Sequence, residues 1–119
     1  MLVRGNTIAA VGAGAIPANP AVTVIDGRGR TLMPGLIDAH VHTMMADTPM
    51  GVLMSVDPNY IALNAGRGAT ATLMRGFTSV RDVGGPSFGL KRAIDQGVLP
   101  GPRIWPSGAT ISQTSGHGD

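Results

Sequence analysis

The chain has 119 residues, enough for one domain. One Lys, eight Arg, seven Asp and no Glu leave a formal charge of +2, which gives no basic stripe of the kind nucleic-acid binding needs. There is no cysteine, so disulfides and thiolate metal sites are excluded and a metal would have to use His, carboxylate or modified lysine ligands. No apolar run reaches ~18 residues, so no membrane span is expected. Arg4, Asn6, Gly12 and Gly14 break any long apolar leader. The expected location is cytoplasmic, an upstream signal segment aside.

Residues 2–11 read as a β-hairpin arm. Gly5-Asn6 is a turn pair, and residues 7–11 follow as a short strand. A loop rich in Gly, Ala and Pro runs to Pro20. Residues 21–26 form a second strand on their β-branched side chains, residues 27–30 turn, and residues 31–33 resume extension. On their own these pieces describe a generic β-meander. Gly12-x-Gly14 and Gly27-x-Gly29 are not dinucleotide fingerprints, because neither continues as Gly-x-Gly-x-x-Gly between a strand and a helix.

The centre of the sequence is Pro34-Gly35-Leu36-Ile37-Asp38-Ala39-His40-Val41-His42. It reads as a buried strand entered through a Pro-Gly turn. Side chains alternate along a strand, so His40 and His42 share a face, with Cα atoms roughly 6.5–7 Å apart at ~3.3 Å per residue. Two imidazoles placed so can converge on one divalent ion at about 2.0–2.1 Å. An isolated His-x-His is equally a pair of polar residues at a strand end.

Beyond His42, a segment holding Met44, Met45, Met50 and Met54 suits irregular apolar space. It reads as ordinary packing under a long loop, or as the lining of a pocket. Asp57-Pro58 opens a helix as N-cap and first helical residue. Ala62, Ala65, Ala69, Leu73 and Met74 mark its apolar stripe, and Gly76 stops it. Residues 77–82 form the next strand. Ser87 caps a second helix, residues 88–96, which Gly97 ends, and residues 103–106 form a third strand. This alternation at this spacing indicates parallel βαβ units and an α/β fold.

The run Leu32-Met33-Pro34-Gly35-Leu36-Ile37-Asp38-Ala39-His40-Val41-His42 resembles the first barrel strand of the metal-dependent amidohydrolase superfamily. Gly76-Phe77-Thr78-Ser79-Val80-Arg81-Asp82 is similar to the second barrel strand of its imidazolonepropionase-like and prolidase-like members. The tail Gly116-His117-Gly118 resembles the segment that dipeptidase-type members place beside the substrate. The resemblance implies a partial (β/α)8 TIM barrel of about three strands over residues 34–119. Residues 1–33 would be the N-terminal share of a small β-sandwich. A complete barrel takes roughly 200–250 residues, so the chain is expected to be the N-terminal part of an enzyme.

The chemistry implied is metal-assisted hydrolysis of C–N bonds by one or two divalent ions, zinc first, with a metal-activated water as the nucleophile. His40 and His42 would be metal ligands. Asp38, on the same face but deeper, would be a second-shell or structural carboxylate. Asp82 reads first as a structural group, pairing with Arg81 or capping the glycine turn, and second as an acceptor that orients a histidine. His117 would contact a substrate carboxylate or carbonyl, its alternative being a solvated loop residue. The expected partner is a small molecule or dipeptide, with dipeptidase activity ahead of imidazolonepropionase-like ring opening. Neither nucleic acid nor membrane is expected as a partner, and a homo-oligomer is compatible with the sequence. A non-catalytic, truncated metal-binding fragment is the reading from outside the enzyme class.

Overall fold

The structure, a computed structural model, describes residues 1–14, 19–116 and 118. The chain divides into two compact units, Met1–Leu32 and Met33–Asp119.

In the first unit, β1 (Leu2–Arg4) and β2 (Thr7–Ala10) form an antiparallel hairpin across the Gly5-Asn6 turn. Residues 21–26, expected as a strand, form none. A strand needs a hydrogen-bonding partner along its length, and β1 and β2 are paired only with each other. Val24 and Ile25 are accordingly exposed.

In the second unit, β3 (Leu36–Val41), β4 (Phe77–Asp82) and β5 (Arg103–Pro106) form a parallel sheet in the order β3-β4-β5. The crossovers carry α2 (Pro58–Met74) and α3 (Phe88–Asp95), as the βαβ pattern requires. A four-residue helix not expected from the sequence, α1 (Met50–Leu53), interrupts the methionine-rich loop after β3.

Asp57 caps α2 as expected, its Oδ1 accepting the Asn59 N–H at 2.7 Å, with Pro58 at the first helical position. Gly76, at φ +96°, ends the helix in a left-handed conformation that few other residues adopt. The buried face of α2 is Ala65, Gly66, Gly68 and Ala69. Ala62 and Met74, expected on the apolar stripe, are exposed. The contact patch covers only the middle of the helix, where small residues let its backbone approach the sheet. Ser87 stands before α3 but makes no side-chain cap; its ψ is 0°, away from the extended backbone that aims a cap hydroxyl at the helix N–H groups.

The core joins Ala65 and Ala69 to Val80, Leu90 and Ile104, with Val41, Met44, Ile94 and Leu99 against it. Burying an Ile or Val side chain contributes about 1.5–3 kcal/mol. This cluster therefore fixes both helices on one face of the sheet. Asn64 ties the loop after β3 to α2, its amide donating to Asp47 O at 2.8 Å and to buried Thr48 Oγ1 at 2.7 Å. Among the described residues no helix is long and apolar enough to cross a membrane.

Candidate metal centre

The C-terminal ends of the three parallel strands are joined into one rim. Val83 N donates to Val41 O at 3.0 Å, Ser107 N to Asp82 O at 3.0 Å, and Gly85 N to Gly108 O at 3.1 Å. Side chains carried on this rim are therefore held by backbone ladders rather than by free loops.

β3 carries His40 and ends next to His42. Between Asp38 and Val41 the β3–β4 register shifts, so that Ala39 and His40 face Arg81 alone. Such a bulge re-aims side chains. The His40 N–H donates to Asp38 Oδ1 at 3.1 Å, so the Asp38 carboxylate supports the bulged backbone beneath His40. The two imidazole rings lie edge to face, their centroids 5.8 Å apart and their planes at 83°. At that separation both rings can reach one ion at about 2.0–2.1 Å.

His42 has a fixed orientation. Its Nδ1 lies 3.0 Å from the Gly84 carbonyl oxygen. A carbonyl only accepts, so Nδ1 is the protonated nitrogen and Nε2 keeps the lone pair that a metal would use. Gly84 is buried. A Cβ there would sit 2.8 Å from Thr110 Cγ2 and 3.4 Å from His42 Cε1. The imidazole thus lies against bare backbone, and the absent side chain chiefly makes room for Thr110 beside it.

Asp82 is fully buried. Its Oδ1 accepts the Gly84 N–H at 3.1 Å, and its Oδ2 accepts both the Thr43 N–H, at 2.9 Å, and the Thr43 hydroxyl. Three donors satisfy a carboxylate that would otherwise be costly to bury. Of its two expected structural roles, the glycine-turn cap is present. Among the described residues the Arg81 pairing is not: consecutive residues of β4 point to opposite faces, Arg81 outward with its guanidinium donating to Trp105 O at 3.4 Å and Asp82 inward. Among the described residues no hydrogen bond joins Asp82 directly to either histidine.

His40, His42, Met45, Met50, Val83 and Thr110 line an open cleft at this rim. The methionines divide between the two roles considered for them, with Met44 against the core and Met45 and Met50 in the cleft. His117 lies outside the described residues. Thr43, Gly84 and Thr110 were not singled out by the sequence. Asp82-x-Gly84 carries a local signal, a side chain accepting from the backbone two residues on. The Thr43 contact spans 39 positions and leaves no local trace.

Among the described residues no three His, Cys, Asp or Glu side chains gather closely enough to hold an ion together. As metal ligands His40 and His42 would make a two-imidazole half-site, short of the three protein ligands of a catalytic zinc centre. The donor set fits a borderline ion such as zinc.

A model of the amidohydrolase family matches residues 31–119. The chain is similar to a solved prolidase complexed with N-methylphosphonate-L-proline, at 45% identity and a TM-score of 0.74 over 86% of this chain and 25% of that one. It is similar to a solved Xaa-Pro dipeptidase with bound methionine, at 39% identity and a TM-score of 0.61 over 72% of this chain and 22% of that one. A curated relative, ochratoxinase from Aspergillus niger, is 38% identical over 93 residues, which are 74% of this chain and 19% of the relative. The chain therefore spans about a fifth to a quarter of the length of these three proteins. The family match covers all of β3, β4 and β5 together with both histidines, and on it this chain belongs to the amidohydrolase family.

Proposed function

We propose that this chain is the N-terminal part of a metal-dependent hydrolase of C–N bonds, and that it supplies two metal ligands, His40 and His42. In this reading β3, β4 and β5 open a (β/α)8 barrel, and the hairpin unit is the N-terminal share of a β-sandwich. The rim that carries the histidines is then the C-terminal face of the barrel, where such enzymes keep their chemistry. A divalent ion bound there, zinc first, supplies Lewis acidity that polarises a scissile carbonyl and lowers the pKa of water. The remaining ligands come from strands beyond this chain.

The observation that carries the reading is the pairing of His40 and His42 at the end of β3, with His42 Nδ1 on Gly84 O and Nε2 without a hydrogen bond among the described residues. A dipeptide substrate of the Xaa-Pro type is favoured by the likeness to a prolidase complexed with a phosphonate of proline. His117 is assigned to the substrate carboxylate or carbonyl, and Asp38 to support of the His40 backbone.

The test is metal content by elemental analysis together with hydrolysis of a panel of Xaa-Pro and other dipeptides by the full-length protein. His40→Ala and His42→Ala each remove most activity and lower bound metal, since no neighbour on the strand replaces a lost imidazole. Asp38→Asn costs less, about 10–100-fold. Full metal occupancy and unchanged turnover in the double histidine variant would overturn the proposal.

A further inference from the structure

We infer that Asp82 is the positioning residue of His42, acting through Gly84 and Thr43 and touching neither the ion nor the substrate. This rests on the proposed role of His42 as a ligand. Four hydrogen bonds make the case. Asp82 Oδ1 holds the Gly84 N–H at 3.1 Å, and the carbonyl of that same glycine lies 3.0 Å from His42 Nδ1. Asp82 Oδ2 holds both donors of Thr43, the residue that follows His42 in the chain. The carboxylate thus grips the backbone next to His42 and the Val83–Gly84 peptide, which immediately precedes the carbonyl that its imidazole meets.

The closed path has a chemical consequence. A neutral imidazole has two tautomers, and only the one protonated on Nδ1 presents Nε2 to a metal. The Gly84 carbonyl selects that tautomer as long as it points at the ring. The peptide plane of that carbonyl is held by the Gly85 N–H, which donates to Gly108 O at 3.1 Å, and Asp82 fixes the other side of Gly84 by holding its N–H from β4. Burial strengthens the arrangement, since Asp82 is 0% exposed and no solvent competes for its oxygens. His40 gives an internal reference, because its backbone N–H goes to Asp38 and its ring shares none of these contacts.

The experiment uses metal-free full-length protein labelled with 15N on histidine, read by proton–nitrogen correlation, alongside a zinc titration. In the parent, His42 shows a slowly exchanging Nδ1–H. Asp82→Ala loses that signal, leaves the His40 pattern unchanged and weakens zinc binding about 10–100-fold. Thr43→Val removes one of the three arms, keeps the Nδ1–H signal and weakens zinc binding less than Asp82→Ala does. Should Asp82→Ala fail to fold, Asp82→Asn keeps the volume but sets an amide N–H against one of the donors. It is then expected to shift the His42 nitrogens and not those of His40. An unchanged His42 signature in a folded Asp82 variant overturns the inference, as does an equal disturbance of both histidines, which marks a merely structural carboxylate. Absence of zinc binding in the parent would sink the proposed function instead, and the tautomer measurement would still decide the role of Asp82.

Discussion

The two units of this chain use similar residues to different effect. The first holds β-branched and aliphatic runs, yet Ile8, Val11, Val24 and Ile25 are all more than half exposed. The second buries Val80 and Ile104 at 1% exposure with fewer apolar residues in line. The difference lies in where each strand finds its cover. A parallel strand in a βαβ unit receives its neighbour and its helix from nearby in the chain, as β4 does here with α2 and β5, whereas β3, expected as a buried strand, has a partner on one side only and leaves Leu36 and Ile37 exposed. A strand of an antiparallel layer depends on partners of any sequence separation. Residues 21–26 find none among the described residues. Hydrophobic composition alone does not make a core; local closure does.

That comparison is broken most directly by paired truncations. Ile104→Ala removes a side chain from the centre of the cluster and is expected to cost about 2–5 kcal/mol. Ile25→Ala removes a side chain that is 90% exposed and is expected to stay within about 0.5 kcal/mol. Urea unfolding of the purified protein measures both. Equal costs would mean that residues 21–26 are packed in solution, and the contrast between the units would fall.

A smaller effect sharpens the account of how β3 is seated. Gly35 precedes β3, and a Cβ placed on it would run into the Thr78 side chain of β4. Thr78 cannot swing away easily, because one of the atoms met is its own Cβ. Gly35→Ala is therefore expected to destabilise by about 1–3 kcal/mol, as overpacking does. Thr78→Gly in the same chain should recover much of that loss, giving a double-mutant coupling well above 0.5 kcal/mol. Additive costs would show that the glycine serves only as a turn residue.

Pro34-Gly35 illustrates how much of this molecule is legible in its sequence. The dipeptide marks a boundary by itself; the reason for the glycine sits 43 residues away on Thr78. The three parallel strands and both long helices were readable because each is announced locally, by alternation, by Asp57-Pro58 or by Gly76. The histidine pair was readable for the same reason, since two residues at i and i+2 need only a strand. The bulge at Ala39 and His40 was not, because register is a property of two strands and β4 is remote in sequence. The bond from Thr43 to Asp82 was illegible on the same ground. So was the fate of residues 21–26, whose propensity is for strand but whose partner is not adjacent.

The two helix starts give the smallest effect and the finest comparison. Asp57 and Ser87 are both residue types favoured at an N-cap, and sequence alone ranks them alike. Asp57 has extended backbone, ψ 135°, and its carboxylate takes the Asn59 N–H. Ser87 has ψ 0°, and its buried hydroxyl has no hydrogen-bond partner among the described residues. Asp57→Ala should then cost about 1 kcal/mol. Ser87→Ala deletes a hydroxyl whose burial is uncompensated, so it should be neutral or stabilising by a few tenths of a kcal/mol. Thermal unfolding of the two variants, side by side, reads the difference. If Ser87→Ala costs as much as Asp57→Ala, the Ser87 hydroxyl bonds in solution, and the two helices begin in the same way.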